Sequence, residues 1–210
     1  LQQLRADHEA AAALCLKMGM RSCKELRETK MVHCRNKGLA AAHLATLGTL
    51  GLMLPALERL DLVEHSGAAG LDGVQRLAEG LGAGALPAVI GVDLIGMHVG
   101  DAGASALAAA LGRGALPRLK VLDLAKAAIG DAGLVALAPA LRRLPALETL
   151  DLQGNPIAFV VLLVAPPPPG EFLGGLRLTK LKQLILNNTQ ITDAGCAALA
   201  AALDCDALPA

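Results

Sequence analysis

Apolar residues fall two apart in five short stretches of this chain and four apart in the stretches between them. Leu-Pro pairs at 54, 86, 116 and 144, spaced by 32, 30 and 28 residues, open LPALERLDL, LPAVIGVDL, LPRLKVLDL and LPALETLDL, and LTKLKQLIL at 178 repeats the pattern without its proline. Leu60 and Leu62, Val92 and Leu94, Leu122 and Leu124, Leu150 and Leu152, and Leu184 and Leu186 each flank one intervening residue. That period of two predicts short, half-buried strands with one face turned inward. Behind them Gly73, Leu77 and Leu81, then Gly103, Leu107 and Leu111, then Gly133, Leu137 and Leu141, then Gly195, Leu199 and Leu203 recur at i, i+4, i+8, which predicts a helix stripe. Asp101, Asp131 and Asp193 stand two residues before three of those glycines. A carboxylate there is expected to be the N-cap of its own helix, accepting orphan amide hydrogens at the positive end of the dipole.

A unit of about thirty residues with one strand and one helix cannot bury its apolar face alone, so neighbours must stack, strand beside strand, into a curved solenoid. The runs that carry this argument, LPRLKVLDLAKAAIGDAGLVALAPALRR and LKQLILNNTQITDAGCAALAAALD, resemble leucine-rich repeats of the ribonuclease-inhibitor type, over residues 54–210. The resemblance implies an α/β partial horseshoe with parallel strands on the concave face and helices on the convex face. It also implies a concave surface that binds proteins, as in ribonuclease inhibitor, NOD-like receptors and Ran GTPase-activating protein. Residues 1–53 are expected to form an N-terminal helical cap or a degenerate first repeat, since KGLAAAHLATL echoes DAGLVALAPAL. Residues 54–210 then make a solenoid of about five repeats. LPA at 208–210 reads as the opening of a further repeat, so the arc is expected to belong to a longer one.

Two departures from the repeat follow. The position three after the second strand leucine, usually Asn or Cys in this family, is His65, Met97, Ala127, Asn155 and Thr189. Only Asn155 fits, and the other turns are expected to use water or backbone partners at about 1 kcal/mol per missing bond. In the fourth repeat an irregular insertion at 158–177 replaces the helix, since the four prolines at 166–169 forbid one. A linker packing 159–164 onto the solenoid is expected there, ahead of a polyproline ligand for an SH3, WW or profilin-type partner.

Composition then narrows the function. The 210 residues carry 19 basic and 19 acidic side chains, two Phe and no Trp or Tyr. Stacking platforms and a basic surface for nucleic acid are both lacking. Residues 1–37 hold eight Lys or Arg and four Asp or Glu, which leaves eleven and fifteen for 38–210. The basic excess, interspersed with Asp7, Glu9, Glu25 and Glu28, reads as a solvated cap. The uncharged stretch 38–57 has the length of a bilayer span. It contains His43, Thr46, Thr49 and Pro55 and ends inside a repeat, so no membrane association is expected. Five cysteines, an odd count without framework spacing, suit reduced thiols in the cytoplasm, and no signal-peptide series opens the chain.

No GxxxxGK[ST], GxGxxG after a strand, HExxH, GxSxG or CxxC occurs, so no enzyme activity, cofactor, metal or small-molecule substrate is expected. What remains is the inner face, formed by residues flanking the strand leucines. The candidate partner-binding set is Arg59, Asp61 and Glu64; Asp93 and Ile95; Asp123 and Lys126; Thr149, Asp151 and Gln153; Gln183, Ile185, Asn187 and Asn188. The middle column runs Asp61, Asp93, Asp123, Asp151, Ile185. With parallel strands about 4.8 Å apart, four like charges would stand in a row. Each neighbouring pair would repel by roughly 1 kcal/mol in water, raising the proton affinity of at least one. The expected function is a non-enzymatic protein-interaction scaffold for a partner with a basic segment. The alternatives are a GTPase-regulating module like Ran GTPase-activating protein, or the sensor region of a NOD-like receptor-type protein.

Overall fold

The computed structural model describes residues 2–158 and 180–193. The insertion at 158–177 apart from Ala158, the helix stripe of Gly195, Leu199 and Leu203, and the LPA at 208–210 lie outside the described residues. Two helices, α1 (Gln2–Met18) and α2 (Cys23–Glu28), lead into strand β1 (Met31–Arg35). Helix α3 (Ala41–Thr49), a 3-10 turn at Leu50–Met53, β2 (Arg59–Val63), α4 (Gly73–Gly80), β3 (Gly91–Asp93) and α5 (Gly100–Gly112) follow. The described chain is completed by β4 (Val121–Asp123), α6 (Asp131–Leu141), β5 (Thr149–Asp151) and β6 (Gln183–Ile185). The strands form one sheet in chain order with every neighbouring pair parallel.

The alternation read from the sequence sets the register. Leu60 pairs with Val92, Val92 with Leu122, Leu122 with Leu150 and Leu150 with Leu184. Leu60, Leu62, Val92, Leu94, Leu122, Leu124, Leu150 and Leu152 are all buried, and they share one continuous core with Leu77, Leu107 and Leu137 of the helices. Each such side chain contributes about 1.5–3 kcal/mol by leaving water. Val32 and Cys34 of β1 belong to the same core, because Val32 stands opposite Leu60 and Cys34 opposite Leu62.

Helices stack in the same order as the strands, α3 on α4, α4 on α5 and α5 on α6, with α1 against α3 at the start. Between α3 and α4 the backbones approach closely. A Cβ on Gly48 would overlap the Leu77 carbonyl oxygen, and one on Gly80 would lie 2.9 Å from the Gly48 carbonyl carbon. Leu86 and Leu116, each before its proline, adopt φ of 53° and 55°. Left-handed backbone in a leucine is strained. It is held here by amide bonds to the preceding repeat, from Leu86 to the Gly51 carbonyl and from Leu116 to the Ala85 carbonyl.

The expected N-caps are corrected at Asp101 and Asp131. Neither α5 nor α6 is capped by a side chain of its own, and Asp101 and Asp131 sit inside the first turns. Asp101 Oδ1 instead accepts from the amides of Gly130 and Gly133, at 2.8 and 2.9 Å, so it caps the helix of the next repeat. Asp131 reaches forward in the same way to the amide of Ala158. A Cβ on Gly133 would stand 2.6 Å from Asp101 Oδ1, which explains why the pattern couples an aspartate to a glycine two residues on. The glycine of one repeat makes room for the carboxylate of the repeat before it.

Candidate functional site

Strand register places the middle column as the sequence suggests. His33 stands opposite Asp61, Asp61 opposite Asp93, Asp93 opposite Asp123, Asp123 opposite Asp151, and Asp151 opposite Ile185. A second column on the same face runs Met31, Arg59, Gly91, Val121, Thr149 and Gln183. Ile95, Gln153 and Asn187 lie two residues past the ends of their strands, and Lys126 and Asn188 occupy turns with φ near 53° and 54°. Thr149, Gln153 and Ile185 are partly exposed, and Lys126, Gln183, Asn187 and Asn188 are exposed.

The four carboxylates are not four equal charges. Asp61 is buried, and its Oδ2 accepts from His33 Nδ1 at 2.6 Å and from Arg35 Nη2 at 3.1 Å. Its Oδ1 is buried without a hydrogen-bond partner among the described residues. Asp93 is buried and meets the Arg59 guanidinium at 2.8 Å. That side chain lies across Gly91, where a Cβ would come within 3.4 Å of Arg59 Cζ. The hydrogen bond from Arg59 and the charge of Asp93 hold the guanidinium in its cationic form.

Asp123 and Asp151 have no cation within ion-pair distance among the described residues. The position that supplies Arg59 to Asp93, two residues before the aspartate of the preceding strand, is Gly91 for Asp123 and Val121 for Asp151. Each carboxylate folds one oxygen back onto its own turn, Asp123 onto the Ala125 amide at 2.9 Å and Asp151 onto the Gln153 amide at 2.8 Å. Burial pushes the Asp123 carboxyl up; the Ala125 amide pulls it back, and Asp151, Asp93 and Asp61 push it further up. The rise expected from crowding is therefore present at Asp123, with burial as its larger cause. The picture of four unrelieved charges is corrected at Asp61 and Asp93.

Glu64 faces away from this surface. It is 2% exposed; its Oε2 accepts from the Gly38 amide at 2.7 Å, and its Oε1 accepts from the Ser66 amide and from Ser66 Oγ. Burial pushes its carboxyl up, but the bonds from Ser66, Gly38 and Leu39 outweigh that and hold it below the usual carboxylate range. Glu64 braces the turn of the preceding repeat, a side-chain solution at a place where water or backbone partners were expected. Asn155 does the same in the later repeats. Its Oδ1 accepts from the amides of Ala127 and Ile129, and its Nδ2 donates to the carbonyls of Leu124 and Leu152. Between them, backbone bonds serve, from Gly96 to Ala125 and from Gly100 to Ala127.

Sequence reasoning missed Arg35 and His33, the partners of Asp61. The available signal was the alternation of Val32 and Cys34 in MVHCR, which aligns with RLDLV of β2. Among the described residues no helix is long and apolar enough to cross a membrane, and no group of three or more His, Cys, Asp or Glu stands where it could hold a metal ion. Two stretches of the chain, 116–138 and 177–200, match a protein-family model described as Leucine Rich repeat. No curated protein matches the chain.

Proposed function

We propose that the chain is a protein-binding scaffold of the ribonuclease-inhibitor kind, in which the strand face forms the concave side of a partial horseshoe and 31–53 serves as its first repeat. Leucine-rich repeats suggest a protein-interaction module, and the sequential parallel sheet with its stacked helices supports that reading. The observation that carries the partner's chemistry is the division of the aspartate column. Asp61 is paired with Arg35 and Asp93 with Arg59, while Asp123 and Asp151 stand side by side with no cation at ion-pair distance among the described residues. Two aspartates on strands about 4.8 Å apart suit a pair of Lys or Arg side chains from an extended basic segment. Thr149, Gln153 and Lys126 flank the contact. The reading is of binding without catalysis.

Anisotropy of a labelled Arg- and Lys-rich peptide against the full chain tests it. Asp123→Asn with Asp151→Asn should weaken binding at least tenfold and flatten its salt dependence, whereas Glu148→Gln, outside the column, should leave it unchanged. Equal losses in both variants, or none in either, would overturn the proposal. Stimulation of GTP hydrolysis by catalytic amounts of the chain, across a panel of small GTPases, would overturn it in favour of the regulatory alternative.

A further inference from the structure

The four residues between α1 and α2 reverse the chain through Gly19, with φ of 81°, and the Met20 amide closes the turn onto the Cys15 carbonyl at 2.8 Å. This turn lays Cys23, the first residue of α2, against Cys15 in the last turns of α1, and the two sulfurs are 3.6 Å apart with the Cys15 S–H directed at Cys23. Cys15 is 2% exposed and Cys23 is open to solvent in part. A disulfide needs its sulfurs about 2.0 Å apart, so rotation of the accessible Cys23 side chain covers most of the remaining distance. Cys34, by contrast, is buried in the core under the sheet.

We propose that Cys15 and Cys23 are a redox-active dithiol that closes to an intrachain disulfide with a low-molecular-weight disulfide as oxidant, clamping α1 to α2. Cys23, as its thiolate, attacks one sulfur of glutathione disulfide; a Cys23–glutathione bond forms and one glutathione thiolate leaves. Cys15 then gives its proton to solvent and attacks the Cys23 sulfur, expelling the second glutathione thiolate. The protein loses two protons and two electrons, which together convert one glutathione disulfide into two thiols. Burial pushes the Cys15 thiol up to about 11, and its hydrogen bond to Cys23 adds to the rise, so the second step is the slower one. Because α1 packs on α3 and β1, the clamp fixes the helix that covers the first strand and its core residues Val32 and Cys34.

The test uses the full chain carrying Cys196→Ser and Cys205→Ser, equilibrated under native conditions in glutathione buffers from fully reduced to fully oxidised. Loss of two hydrogens in the intact mass is expected, with a tryptic pair in which 6–17 is linked to 22–24, since Lys17 and Arg21 lie between the two cysteines and Arg5 and Lys24 bound the pair. The oxidised form should melt a few degrees higher, because the cross-link restricts the unfolded chain. Adding Cys23→Ser should abolish both changes. A glutathione adduct that persists on Cys23 beside a free Cys15, or modification of Cys34 as fast as of Cys23, would overturn the proposal.

Discussion

Strands β2 and β4 carry the same Leu-Asp-Leu, in the same register, at the same place in their repeats, yet their aspartates have different surroundings. Asp61 is held by His33 and Arg35 of the strand before it. Asp123 looks across at a strand that offers Gly91 and Asp93, and the Arg59 guanidinium that lies across Gly91 is already spent on Asp93. In a stacked array the chemistry of a residue is thus set by its counterpart one repeat earlier, about thirty positions away in sequence. The turns obey the same rule. Glu64 and Asn155 both satisfy amides of the repeat before them, whereas Asp101 satisfies amides of the repeat after. Neighbouring repeats are therefore joined by polar bonds as well as by the shared core.

The largest expected effect distinguishes the two turn braces. Asn155→Ala leaves two amides and two carbonyls unsatisfied in a buried turn, and should cost about 3–5 kcal/mol in urea denaturation. Glu64→Ala opens a turn with exposed neighbours, Ser66 among them, and should cost about 2 kcal/mol. Equal losses would mean that the braces are interchangeable.

Arg59→Ala comes next, because it strands Asp93 inside the sheet face without its cation. The Arg59 side chain is 42% exposed, so solvent screens the loss, and about 1–2 kcal/mol at pH 7 is expected. The same substitution leaves Asp123 and Asp151 as they are, so it should spare the binding of a basic peptide there. Asp101→Ala should cost about 1 kcal/mol, the usual value of a helix cap, and the lost amide protection measured by hydrogen exchange should appear at Gly130 and Gly133 of the next repeat. Loss of protection in α5 alone would restore the within-helix cap.

The smallest expected effect is a pair of opposed pH slopes. Glu64, held low in the folded chain, contributes stability that is present above its unfolded value and lost as pH falls through the folded one. Asp123, held high, contributes stability that is present below its unfolded value and lost as pH rises through the folded one. Asp123→Asn should therefore stabilise the chain slightly at neutral pH, by well under about 1 kcal/mol, with the gain vanishing in strong acid. Glu64→Gln should remove a slope of the other sign. Chemical denaturation of each variant from pH 2 to 7 measures both.

Much of this architecture is legible in the sequence because its signals are periodic. Strand register, the core column from Leu60 to Leu184 and the aspartate row follow from spacing alone. What was not legible depends on contacts between repeats at positions outside the period. The pairing of Asp61 requires knowing that MVHCR lies beside RLDLV, although β1 lacks the Leu-Pro opening that marks the others. Glu64 hides its role one position before His65, the place in its repeat that corresponds to Asn155. Asp101 was assigned to the right residue type and the wrong helix, since one-dimensional proximity favours its own amides, while the space left by Gly133 favours the next repeat's.

Asp123 is where the division between ion-paired and open carboxylates is read most directly. Carbon-13 NMR of its carboxyl group, titrated in the free chain and in the chain saturated with an Arg- and Lys-rich peptide, should find a titration midpoint above the ordinary aspartate value when free, falling when the peptide is bound. A midpoint at or below the ordinary value in the free chain, or one that does not move in the complex, would contradict the claim that Asp123 and Asp151 form an open site for a cationic partner.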